Sequence, residues 1–100
     1  MQDFETALTG LAPEINSITI TINMPRRGEV QVTGSIWDRT TYRDREVPQD
    51  ERIFRFTIDP ETNRRYVERL AEQDGWTIGE WETYDMTVFA SESDVLTATR

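Results

Sequence analysis

The stretch SITITIN, Ser17 to Asn23, decides how this chain is read. Ile18, Ile20 and Ile22 alternate with Thr19, Thr21 and Asn23, so an extended backbone presents one apolar face and one hydroxyl-rich face. A period of two carried by β-branched residues predicts a strand half-buried against a core. Beyond the turn residues Pro25 to Gly28, Val30, Val32 and Ile36 alternate with Gln31, Thr33 and Ser35, which predicts a hairpin. Gly34 falls on the inward phase, where it marks either a bulge or the close approach of a helix.

Upstream of this hairpin, Asp3 can cap a short helix in which Phe4, Ala7, Leu8 and Leu11 recur at helical spacing, with Gly10 and Pro13 ending it. Downstream, Ile53 to Ile58 reads as a further strand with Phe54, Phe56 and Ile58 in phase. Asp59-Pro60-Glu61 then supplies an N-cap, a proline at the first helical position and an early acid. A second helix over about 60–74 follows, with Tyr66, Val67 and Leu70 as its apolar stripe and Gly75 as its stop. On its outer face Glu61 with Arg65 and Arg64 with Glu68 are spaced i to i+4 and read as solvated pairs worth ~0.3 kcal/mol each.

Trp76 and Ile78 open another strand, and Tyr84, Met86, Val88 and Ala90 share one phase further on. Residues 76–90 read either as one bent strand or as a hairpin, since only Gly79 and Asp85 can turn the chain there. Residues 91–100 hold Val95 and Leu96 as their only sizeable apolar groups and are expected to form a tail that frays. The order helix, strands, helix, strands predicts an α+β fold: a mostly antiparallel sheet of about four to six strands, with both helices packed on one face. A chain of 100 residues without a linker or repeat is expected to be one domain, 1–100.

The ionisable inventory bounds the chemistry. Eleven arginines and nineteen carboxylates stand without lysine, histidine or cysteine, giving a net charge of -8. Such a chain has no imidazole or thiolate with which to shuttle protons, attack a substrate or bind a metal. No cofactor or catalytic motif stands in the sequence, and a non-enzymatic role is expected. The negative field disfavours nucleic acid and anionic membranes as partners. An acid-rich composition whose cations are all arginine resembles the proteins of salt-loving archaea. At about 1 M salt the Debye length shrinks to roughly 3 Å and the like charges are screened. The N-terminus lacks the basic and apolar regions of a signal peptide, so a cytoplasmic location is expected, and a virion would fit equally well.

The segment from Asp38 to Glu51, DRTTYRDREVPQDE, is the best candidate for a working part, because loops this long in small domains usually bind something. One reading makes Thr41 to Val47 an edge strand folded back on Glu51 to Thr57 through a turn at Pro48. Another makes Arg39, Tyr42, Arg43 and Arg45 a loop that contacts a partner. Trp37 falls by parity on the threonine face unless a bulge at Gly34 resets the phase, and Trp81 has the same ambiguity at Gly79. If both indoles point outward, Trp37, Trp81 and Arg55 can form an aromatic patch for a protein partner or a second copy of the chain.

Three other readings use the charges. Spaced carboxylates imitating phosphates would make the chain an inhibitor or regulator of a nucleic-acid-binding protein, although arginines interrupt them. A small carboxylate-based enzyme would rest on Glu80, Glu82 and Asp85, with Glu92 and Asp94 beyond them. Direct nucleic-acid binding would use Arg26, Arg27, Arg39, Arg43 and Arg45, too few against the acids to drive much counterion release. The favoured expectation is a small acidic protein-binding or assembly module, working through a sheet edge and the 38–51 arm, with a homodimer among its possible forms.

Overall fold

The computed structural model describes residues 4–24, 29–38, 40–47, 52–54, 60–86 and 91–100. Its elements run α1 (Phe4–Thr9), β1 (Ser17–Met24), β2 (Glu29–Asp38), β3 (Arg43–Val47), β4 (Arg52–Phe54), α2 (Pro60–Gln73), β5 (Thr77–Met86) and β6 (Ser91–Thr99). The strands form one antiparallel sheet in the order β3-β2-β1-β6-β5, with β4 paired to β2 as well. This is the α+β arrangement expected of an amphipathic hairpin accompanied by two amphipathic helices.

One face of the sheet is the core. Ile18, Ile20 and Ile22 of β1, Val30 and Val32 of β2, and Leu96 and Ala98 of β6 are all buried on it. Phe4, Ala7 and Leu8 of α1 and Val67, Leu70 and Ala71 of α2 close over these residues. The helices meet through Phe4 and Tyr66, whose ring centroids are 6.4 Å apart. On the opposite face, hydroxyls form a row across four strands, Ser35, Ser17, Thr99 and Thr77, which the strand alternation places away from the apolar layer.

Gly34 is explained by a close approach and not by a bulge. Pairing with β1 runs without interruption through Ile18↔Gly34, and a Cβ at Gly34 would lie 2.8 Å from Cδ1 of Ile15. The intruding group comes from the segment after α1, with Ile15 fully buried over the sheet. Gly75 ends α2 with a φ of 88°, and Trp76 N–H donates to the Ala71 carbonyl at 3.0 Å. This is the left-handed helix stop that glycine favours.

Three expectations are corrected. Residues 91–99 are no fraying tail: they form β6, held between β1 and β5. Its core-facing positions are Asp94, Leu96 and Ala98, and the acid at the first of them hides the strand period from a reading of apolar residues. The second correction concerns β3, which folds back on β2 in the register Gly34↔Val47 to Asp38↔Arg43 and, among the described residues, not on Arg52–Phe54. The signal for that hairpin is Asp38, whose Oδ1 accepts from Thr40 N–H at 2.9 Å and from Thr40 Oγ1 at 2.6 Å, pinching the chain. β4 takes the other half of the same β2 edge, in the register Glu29↔Phe54.

The third correction concerns phase in β5. A register shift between Ile78 and Trp81 resets the alternation at Gly79, so Trp81 and Thr83 face the core layer. Tyr84, expected inward, is 53% exposed. Residues 77–86 form one strand, and the continuation to 90 lies outside the described residues. So do Asp3, the 25–28 turn, 55–58 and Asp59.

Candidate functional site

At the end of the sheet where β2 passes into β3, the backbone is held while aromatic rings stand in solvent. Asn16, just ahead of β1, accepts from Trp37 N–H at 2.7 Å through Oδ1 and donates from Nδ2 to the Trp37 carbonyl at 3.0 Å. A single amide thus occupies both hydrogen-bonding groups of one residue, in the way a neighbouring strand would. Main-chain bonds continue the tie: Asn16 N–H donates to the Ser35 carbonyl at 3.2 Å, and Arg100 N–H to the Asn16 carbonyl at 2.9 Å.

Trp37 keeps the outward phase given by parity and is 39% exposed. Tyr42 approaches it edge-on at 6.3 Å and is 79% exposed. Its φ of 53° lies in the left-handed region, which an aromatic residue rarely adopts. Asp44 stands directly opposite Trp37 across the β2–β3 pairing. Together Asn16, Ser17, Trp37, Asp44, Thr99 and Arg100 line an open cleft of about 390 Å³. Asp38, at the turn, has its carboxyl held below the usual range by the Thr40 hydroxyl and amide.

Arg43 and Arg45 are exposed on β3, opposite Asp38 and Ile36, on the face away from Trp37 and Asp44. Trp81 does not join this group. It lies on β5, three strands from β2 and on the core-facing side, half-buried, with its Nε1–H donating to Glu68 at 2.6 Å. The Arg64 guanidinium covers its ring at 5.6 Å. Trp81 is therefore a contact between α2 and the sheet. Arg39, Arg55, Arg26 and Arg27 lie outside the described residues.

The remaining acids occupy other surroundings. Asp94 is 3% exposed and bonded to Arg64 and Thr83, while the Tyr84 hydroxyl donates to Glu82 and its own pKa is raised by that bond. Among the described residues, no three acids converge as ligands for a metal ion. No helix among them is long and apolar enough to cross a membrane.

Asn16 and Asp44 are the members of the site that sequence reading does not single out. Asn16 carries no signal beyond its place before a strand, and Asp44 is one of many acids until its register partner is known. No protein-family model matches the chain, and no curated protein or solved structure is significantly similar to it.

Proposed function

We propose that this chain is a small, acidic, non-enzymatic protein-binding or assembly module of a halophilic archaeon or its virus, working in the cytoplasm or the virion. It engages a protein partner through the β2–β3 hairpin and the adjoining sheet edge. The observation that carries this reading is the Trp37–Tyr42 pair, two large rings exposed on a backbone pinned by Asn16. Exposed aromatics on a rigid support lose little entropy when covered and are enriched where proteins bind tightly. Next to them, β3 pairs only with β2 among the described residues and so offers a second edge. Mimicry of nucleic acid is the weaker reading, because Asp44 is flanked by Arg43 and Arg45 and not by further acids.

The test is capture by the tagged chain from its host's extract at the host's own salt, beside a Trp37→Ser/Tyr42→Ser variant. Proteins retained by the parent and lost by the variant, identified by mass spectrometry, support the reading. Identical sets retained by both overturn it.

A further inference from the structure

We infer that the edge of β3 left unpaired among the described residues selects a heterologous strand over a second copy of this chain, and that the strand it takes is acidic on one face and basic on the other. The inference rests on the protein-binding reading above and names the chemistry of the partner. On β3, Arg43 and Arg45 project to one face of the sheet and Asp44 to the other, all exposed.

Consider first a second copy. Two identical edges extend a sheet antiparallel about a two-fold axis normal to it, so each side chain keeps its face and meets a residue of the same phase. Centred on Asp44, the pairing sets Asp44 against Asp44 and Arg43 against Arg45 twice. Centred on either arginine, it sets that arginine against itself. Every such register opposes like charges, which is destabilising for directly opposed residues in a sheet.

A foreign strand meets no such constraint. Acids opposite Arg43 and Arg45, with a lysine or arginine opposite Asp44, turn each of these repulsions into attraction. The basic residue also gains a second contact. Strands lie about 4.8 Å apart, so Trp37, directly beyond Asp44, stands about two strand spacings away on the same face. A long cationic side chain bonded to Asp44 can extend over the exposed indole, an attractive arrangement for a guanidinium or ammonium group. Arg100, the cation that lines the cleft, is already committed: it stacks 4.2 Å over Trp76, lies 3.7 Å from Asp74 and donates to the Ile15 carbonyl. The charge pattern of β3 therefore both prevents self-pairing and specifies a partner.

The chain itself provides the probe. Asp44→Ser/Arg45→Glu removes the central repulsion and sets a new carboxylate opposite Arg43 of the other copy, twice per dimer. In light scattering at low salt the double variant is expected to dimerise on the order of tenfold more tightly than the parent. At about 1 M salt the difference should shrink but persist, because a Debye length of roughly 3 Å screens separated charges more than directly opposed ones in contact. As a second arm, Arg43→Glu/Asp44→Arg/Arg45→Glu is mixed with the parent, where all opposed pairs become complementary and a one-to-one complex is expected. A parent that dimerises through residues 43–45 as tightly as the double variant overturns the inference, and so does a double variant that stays monomeric as a folded protein. The capture experiment with Trp37 and Tyr42 replaced is independent of both arms, so protein binding can survive while this partner chemistry fails.

Discussion

Arg64 of α2 grips Asp94 of β6 with two nitrogens, Nε to Oδ2 at 3.0 Å and a terminal nitrogen to Oδ1 at 2.8 Å. Thr83 of β5 completes the cluster, accepting from Arg64 at 3.1 Å and donating to Asp94 Oδ1 at 2.9 Å. The helix is thereby fastened to two strands at a point where the sheet offers an acid in place of an apolar residue. Removing the guanidinium strips its main partner from a carboxylate that is 4% exposed in the intact protein and leaves it bonded to the Thr83 hydroxyl. Breaking a buried pair typically destabilises by about 3–5 kcal/mol; Arg64 is 35% exposed, so Arg64→Ala is expected to lower unfolding stability by about 2–3 kcal/mol. Arg65→Ala, which removes the 2.6 Å contact to Glu61 between largely exposed partners, should change it by only ~0.3 kcal/mol. Urea unfolding of the two variants checks the ratio, and equal effects would refute the fastening role.

The same cluster sets an acid limit. Burial pushes the Asp94 carboxyl up, but hydrogen bonds from Arg64 and Thr83 and the Arg64 charge more than offset it and hold the pKa below its ordinary value. An unfolded aspartate titrates near about 3.9. Between that value and the lower folded one, the unfolded chain binds more protons, so the contribution is complete above about pH 4 and is lost as pH falls through the folded value. Asp94→Asn should flatten the acid side of the stability profile measured by urea midpoints. An unchanged slope below about pH 4 in the variant would assign the acid sensitivity to other carboxylates.

Much of this fold is legible in the sequence, and the parts that are not have physical causes. The isoleucine alternation gives β1 and its hairpin with β2, and Pro60 and Gly75 bracket α2, because each signal is local. β6 escapes, because Asp94 is acceptable in a core position only when Arg64, thirty residues earlier in the chain, folds over it. The expected Arg64–Glu68 surface pair fails for the same reason: both side chains turn to the sheet, Arg64 to Asp94 and Glu68 to Trp81. Trp37 and Tyr42 are identifiable as candidates from residue type and parity, whereas Asn16 and Asp44 join them only through tertiary register.

Gly34 offers a test of the packing that positions this end of the sheet. A methyl there meets Ile15 Cδ1 at 2.8 Å and Cγ2 at 3.1 Å, beneath a residue with no room to retreat. Overpacking of this kind destabilises by about 1–3 kcal/mol, and Gly34→Ala is expected in that range. Ile15→Val shortens the side chain that meets the new methyl group, so the double variant should recover part of the loss beyond additivity. Strict additivity in a double-mutant cycle would contradict the contact.

Gly79 makes a harder demand, because the obstruction is backbone. A Cβ at that position would stand 2.7 Å from the Thr97 carbonyl oxygen, which is fixed in β6. Gly79→Ala therefore cannot be absorbed by a rotamer change and should destabilise by about 2 kcal/mol or more. It also removes the device that turns Trp81 inward, so its indole should lose Glu68 and become more exposed. In a Trp37→Phe/Trp76→Phe background, red-shifted emission on adding Gly79→Ala is the expected sign; an unmoved spectrum would mean that the bulge does not set the phase.

The three indoles differ in a way that bears directly on the site. Trp76 is 3% exposed, with its Nε1–H on Asp74 at 3.0 Å and the Arg100 guanidinium over its ring. Trp81 is half-buried beneath Arg64, and Trp37 alone of the three stands exposed, at 39%, with Tyr42 edge-on to its ring. Acrylamide should therefore quench a Trp37-only protein strongly, a Trp81-only protein partly and a Trp76-only protein least. Trp37→Ala should cost about 1–2 kcal/mol, below the roughly 3–5 kcal/mol of a fully buried tryptophan, because the ring is part exposed and Asn16 holds main-chain groups that alanine retains. A large loss of stability, or a shielded Trp37, would make the ring part of the fold's own packing and remove the surface on which the binding role depends.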